Sequence, residues 1–92
     1  MAQNSRARIR ITGRVQGVGF RFFAAKHASR HRIAGWVRNR PDGSVEVEAE
    51  APRDRVDAFI EELRHGPSFA HVDYVDVDWL EPRGSSSFEV IG

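Results

Sequence analysis

The chain has 92 residues, 40% of them hydrophobic and 29% charged, which is enough to build one core and too short for two. It contains no cysteine, so a disulfide framework, a thiolate zinc site and a cysteine nucleophile are excluded. Its apolar runs are only a few residues long, so no membrane span is expected, and Met1–Ser5 carries no apolar leader core, so a cytoplasmic location is expected for a single domain covering residues 1–92.

A net charge of +1 conceals an asymmetry. Residues 1–40 hold nine arginines and Lys26 with no acid, whereas residues 41–92 hold four arginines against thirteen acids, so the halves carry +10 and −9. A basic half suits a phosphate-bearing partner; equally, the two halves neutralise one another if the fold interleaves them.

From Arg6 to Gly13 the chain alternates, with Ala7, Ile9 and Ile11 on one face and Arg8, Arg10 and Thr12 on the other, which predicts a half-buried strand. Gly13–Gly19 places three glycines in seven residues and reads as a loop. Phe20–His31 has no Gly or Pro and reads as a helix. Gly35–Arg40 and Ser44–Glu50 are two strands joined at Arg40-Pro41-Asp42-Gly43, where Pro presets one turn position and Gly accepts another. Pro52 is placed in the first turn of a second helix, whose Val56, Phe59, Ile60 and Leu63 form one buried stripe and which Gly66-Pro67 ends. His71–Leu80 is a fourth strand with Val75, Val77 and Trp79 alternating with Asp76 and Asp78, and Phe88 onward is a short fifth. The order β-α-β-β-α-β, with two helices unable to cover both sheet faces, predicts an α+β ferredoxin-like sandwich: an antiparallel sheet with both helices on one face. In that arrangement the first strand lies between the third and fourth, so Arg8 and Arg10 should face Glu46 and Glu48 on one side and Asp76 and Asp78 on the other.

Two stretches carry chemistry. In Gly13-Arg14-Val15-Gln16-Gly17-Val18-Gly19-Phe20-Arg21, glycines between a strand and a helix let backbone N–H groups converge. The helix start adds partial positive charge and Arg21 a planar fork of donors, together an anion cradle. The same residues also suit a plain tight turn with a solvated arginine. In Gly35-Trp36-Val37-Arg38-Asn39, Asn39 is a polar group at a strand end, which ordinary turn chemistry would also explain. His27 and His31 lie one helical turn apart, a spacing that can bind metal, but no third ligand is evident in the sequence, and a helix-surface pair is the simpler reading. Trp36 and Trp79 read as packing residues.

Together the two stretches closely resemble the acylphosphatase family. Gly13–Arg21 matches its phosphate loop, Gly-x-Val-Gln-Gly-Val-x-Phe-Arg, at every fixed position. Gly35–Asn39 with Gly43–Val45 matches its second block, and the likeness runs from about Arg6 to Ile91. The resemblance implies a phosphate-binding loop at Val15, Gln16, Gly17, Val18, Gly19 and Phe20, catalytic Arg21 and Asn39, and no metal or cofactor. It further implies a small-molecule acyl phosphate substrate, inorganic phosphate as product and competitive inhibitor, and a monomer. The chain departs from the family's usual pattern at His31-Arg32, where Leu-Gly is common, and at Ala51, where Gly is common. The first departure removes a glycine cap and implies a different helix ending; the second would cost about 1 kcal/mol if Ala51 had to adopt positive φ. An RNA-binding module shares this fold plan, but Glu46, Glu48 and Glu50 in a row on the open face would repel phosphates, so no nucleic-acid partner is expected.

Overall fold

A computed structural model describes residues 3–92. The predicted elements all form, as β1 (Asn4–Arg14), α1 (Phe20–Arg30), β2 (Ala34–Asn39), β3 (Val45–Pro52), α2 (Arg53–His65), β4 (His71–Leu80) and β5 (Phe88–Ile91). Pro52, with ψ of 144°, stands one place before the helix as its cap and not inside its first turn. No helix among the described residues is long and apolar enough to cross a membrane.

The sheet order is β4-β1-β3-β2-β5. The register follows the alternation: Arg8 lies opposite Glu48 and Asp78, and Arg10 opposite Glu46 and Asp76. Ala7, Ile9, Ile11, Val37, Val45, Val47 and Ala49 face the helices and are fully buried with Val56, Phe59 and Leu63 of α2 and with Phe20, Ala24 and Ala28 of α1. Each large apolar side chain enclosed in this way contributes about 1.5–3 kcal/mol. The two alanines let α1 lie close against the sheet. At the open sheet edge, Arg53 stacks 3.6 Å from the Trp79 ring, and on the other face Arg38 lies 5.2 Å from Trp36.

Three further expectations are corrected. The sheet is mixed, because β5 runs parallel to β2 while all other neighbours are antiparallel. After β4 the chain crosses the bottom of the sheet to its far edge, where it can only start upward alongside β2. Second, the glutamates of β3 are not an exposed acidic row: Glu46, Glu48 and Glu50 are buried. The buried Arg6 donates to Glu48 at 2.7 Å and to Glu50 at 2.8 Å, Arg38 and Arg40 both reach Glu46, and the crossing segment donates the Arg83 and Gly84 amides to Glu50. Among the described residues Arg8 and Arg10 make no ion pair within 4 Å; they line an open concavity with Arg38, Arg40, Glu46, Asp76 and Asp78. The face is therefore mixed in charge, and the two halves of the chain neutralise each other there by interleaving strands. Third, α1 keeps the glycine-type ending without glycine. The Ile33 amide donates to the Ala28 carbonyl and the Arg32 amide to that of Ser29, with Arg32 at φ 52°. This is a Schellman closure carried by a residue with a Cβ. Ala51, by contrast, sits in β3 opposite Ser5 with ordinary backbone geometry and carries no such cost.

Candidate active site

β1, β2 and β5 run the same way, so their C-terminal ends meet at one end of the sheet, where the loop after β1 turns into α1. A register shift at Thr12/Gly13 bends the end of β1 into this loop. Gly17 and Gly19 have φ of 75° and 77°, and a Cβ on either would meet nothing within 4 Å. Backbone conformation, not space, calls for glycine at both positions, and this conformation turns the loop around an open centre.

That centre is a cleft of about 150 Å³ lined by Val15, Gly17, Gly19, Phe20, Arg21, Phe22 and Asn39. Its floor is apolar, with Val15 and Phe20 buried, and it lies against the first turn of α1. No acid occupies that turn, so the helix start keeps its partial positive charge for a guest. Arg21 stands at the cleft on the second residue of α1, and its Nη1 donates to the Ile91 carbonyl at 3.3 Å. Asn39 enters from the last position of β2, paired with Val45.

Gln16 and Val18 do not line the cleft with their side chains. Val18 packs against the core. The Gln16 carboxamide turns sideways and donates to the Arg40 carbonyl at 2.7 Å and to the Ser44 carbonyl at 2.9 Å. It ties the loop to the β2–β3 turn directly beside Asn39. The turn has its own closure: the Gly43 amide donates to the Arg40 carbonyl, and Asp42 accepts from both the Ser44 amide and hydroxyl. These bonds hold the Asp42 carboxyl below its ordinary pKa. Sequence reasoning missed the Gln16 tie, the Ile91 carbonyl and the exposed Phe22 at the rim. The first two depend on which segments meet in space; Phe22 offered no signal beyond its place after Arg21.

The chain is thus a ferredoxin-like α+β sandwich that brings two loop glycines, a helix start, an arginine and an asparagine to one small cleft. The acylphosphatase family model matches residues 7–90. An acylphosphatase of Salinibacter ruber is 55% identical over 76 residues, which is 83% of this chain and 80% of that protein. One of Thermococcus kodakarensis is 48% identical over 87 residues, covering 95% and 96%. The crystal structure of acylphosphatase from Bacillus subtilis superposes with a TM-score of 0.93 at 38% identity, over 96% of this chain and 99% of that one. The chain belongs to the acylphosphatase family.

Proposed function

We propose that this chain hydrolyses small acyl phosphates to a carboxylate and inorganic phosphate, with the Val15–Phe20 loop and Arg21 binding the phosphoryl group and Asn39 holding the attacking water. The observation that carries the assignment is the convergence of Arg21 and Asn39, from separate elements, on one cleft lined by Gly17 and Gly19. Its volume of about 150 Å³ suits a phosphoryl group and falls below the ~300–1,000 Å³ of a typical organic-ligand pocket. The acyl portion of the substrate then projects past the rim at Phe22.

The chemistry asks little of the protein. An acyl phosphate leaves as a carboxylate of low basicity, so a strong general acid is unnecessary. The transition state is loose, with charge on three equatorial oxygens, and is stabilised by fixed donors aimed at those oxygens. Loop amides and the start of α1 supply part of this potential, and the planar guanidinium of Arg21 supplies two parallel donors. The Asn39 carboxamide both accepts from and donates to water, and places it in line with the departing acyl oxygen. The water oxygen forms a bond to phosphorus, the phosphorus–acyl oxygen bond breaks with its electron pair on the carboxylate, and the water proton passes to a phosphoryl oxygen. This scheme needs no metal or organic cofactor. Inorganic phosphate, the product, fits the same cradle and competes with substrate. In this reading the protein acts in the cytoplasm as a monomer.

The test is hydrolysis of an aryl acyl phosphate against an aryl phosphate monoester, in chelator, by the parent and Asn39→Ala. The parent should cleave only the first, and Asn39→Ala should lose about 10²–10³ in kcat while phosphate inhibits with nearly unchanged affinity. Turnover of the variant within a few-fold of the parent would make Asn39 a turn residue and remove it from the mechanism.

A further inference from the structure

His27 and His31 gain in the fold the partner that the sequence withheld. Glu62 of α2 faces both across the helix interface: its Oε2 is 3.4 Å from His27 Nδ1 and its Oε1 3.9 Å from His31 Nε2. The three donor groups offer atoms that all lie within 4.8 Å of one another. His27 is more than nine-tenths buried, its ring packs 4.3 Å from Phe23, and its Nδ1 is enclosed without a hydrogen-bond partner. A buried polar atom left in this state, aimed at a carboxylate, is what an absent ligand would satisfy. His31 and Glu62 are only partly covered and open the group to solvent.

We propose that His27, His31 and Glu62 form a binding site for a divalent transition cation such as Zn²⁺, clamping α1 to α2. Two imidazole nitrogens and a carboxylate oxygen are the donor set of a borderline-soft ion and not of Mg²⁺ or Ca²⁺, which favour oxygen ligands. Bonds of about 2.0–2.1 Å in tetrahedral array set ligand atoms roughly 3.3–3.4 Å apart, which is the separation already present between His27 and Glu62. The widest separation in the group, 4.8 Å, would have to close by about 1.4 Å to reach a tetrahedral edge, and His31, at the C-cap of α1 and a quarter exposed, has the freedom to supply that movement. The fourth position opens to water. Lys26 and Arg30 lie near His27 and oppose a cation there, so loss of any one ligand should be felt strongly. The site lies about six residues, or roughly 9 Å, along α1 from Arg21, and takes no part in hydrolysis.

The test is titration of the chelator-treated protein with Zn²⁺ and Co²⁺, read by calorimetry, visible absorption of Co²⁺ and thermal unfolding. The parent should bind one ion per chain and, at about 100 times Kd, gain roughly 10–20 °C in Tm, whereas Mg²⁺ gives no shift. Glu62→Gln and His31→Ala, both at partly exposed positions, should keep the metal-free Tm and hydrolysis of the parent and bind at least about tenfold more weakly. His71→Ala, removing the exposed histidine beside Asp73, should bind as the parent does. The proposal fails if the parent shows no saturable binding, if Glu62→Gln binds as tightly as the parent, or if affinity is lost with His71.

Discussion

Replacing Gln16 by methionine separates two roles that the loop sequence superimposes. The variant keeps the side chain's length and apolar stem but removes both donors, so the Arg40 and Ser44 carbonyls lose the bonds they accept at 2.7 and 2.9 Å and keep only those from the Gly43 and Arg40 amides. Each such bond contributes about 0.5–1.5 kcal/mol net, so the pair contributes about 1–3 kcal/mol. For a domain of this size that is a Tm loss of roughly 4–20 °C. The functional cost comes through Asn39, which precedes Arg40. Without the tie, the β2 end is free to move against the loop, and a misplacement of about 1 Å costs on the order of 10²-fold in rate. Phosphate affinity should fall far less, because the backbone amide of residue 16 survives. Urea unfolding, phosphate inhibition and kcat on an aryl acyl phosphate, measured on the same preparation, read the three effects apart. Gln16→Glu should be worse in all three, since a carboxylate would face two carbonyl oxygens. If Gln16→Met loses stability but keeps full turnover per folded molecule, the position of Asn39 does not depend on the tie. If phosphate affinity and kcat fall together, the side chain is a phosphate ligand and the sideways geometry misleads.

Arg21→Lys should lose both turnover and phosphate affinity without unfolding, because an ammonium cannot span two phosphoryl oxygens; near-normal phosphate inhibition would mean that the loop amides hold the anion alone. Arg32→Gly should raise stability by about 0.5–1 kcal/mol, the relief of a left-handed Cβ less the entropy of an added glycine, and leave activity unchanged, whereas Arg32→Ala should gain nothing; equal unfolding midpoints for the two variants would contradict the φ of 52°. Acid should unfold the protein through the open sheet face. Burial opposes ionisation of Glu46 and Glu50, but Arg38 and Arg40 around the first, and the Arg83 and Gly84 amides with Arg6 around the second, hold both carboxyls below their ordinary values. The unfolded chain therefore takes up these protons first. Their contribution is complete above about pH 4.3 and is lost as pH falls through the lower folded values. Urea midpoints from pH 7 down to pH 2 would show it, and an unchanged acid slope in Glu50→Gln would refute it.

Local patterning made most of the fold legible. The alternation of Ala7, Ile9 and Ile11 set both strand and register, and the stripe Val56, Phe59, Ile60 and Leu63 set the buried face of α2. The fifth strand's partner was not legible, since nothing within Phe88–Ile91 encodes which edge it reaches; that follows from the crossing segment bonding Glu50 and Arg6. Arg32 at the place of a cap glycine implies a changed helix ending because sequence shows the lost glycine but not the two backbone bonds that retain the geometry. At the site, Arg21 and Asn39 stood out by motif and the fold places both at one cleft. Gln16 was marked by the same motif, but its side chain serves a tertiary contact that local spacing cannot reveal. The third member beside His27 and His31 was hidden for a like reason, because Glu62 lies on another helix.

The burial of Arg6 between Glu48 and Glu50 bears on how this sheet can change over generations. All three side chains are almost wholly enclosed, at 2%, 7% and 1% exposure. Removing one member of such a group strands a charge and costs about 3–5 kcal/mol, a large part of a small domain's whole stability, whereas exchanging the group for apolar residues together is often neutral. Single substitutions at these positions therefore descend into a valley that only a concerted exchange avoids. A one-residue slip of β1 would meet the same obstacle, because it would turn the Arg6 guanidinium into the space now filled by Ala7 and the helices. The triplet acts as a ratchet on the strand order: costly to dismantle stepwise, it keeps β1 seated against β3 while the exposed residues around it remain free to drift.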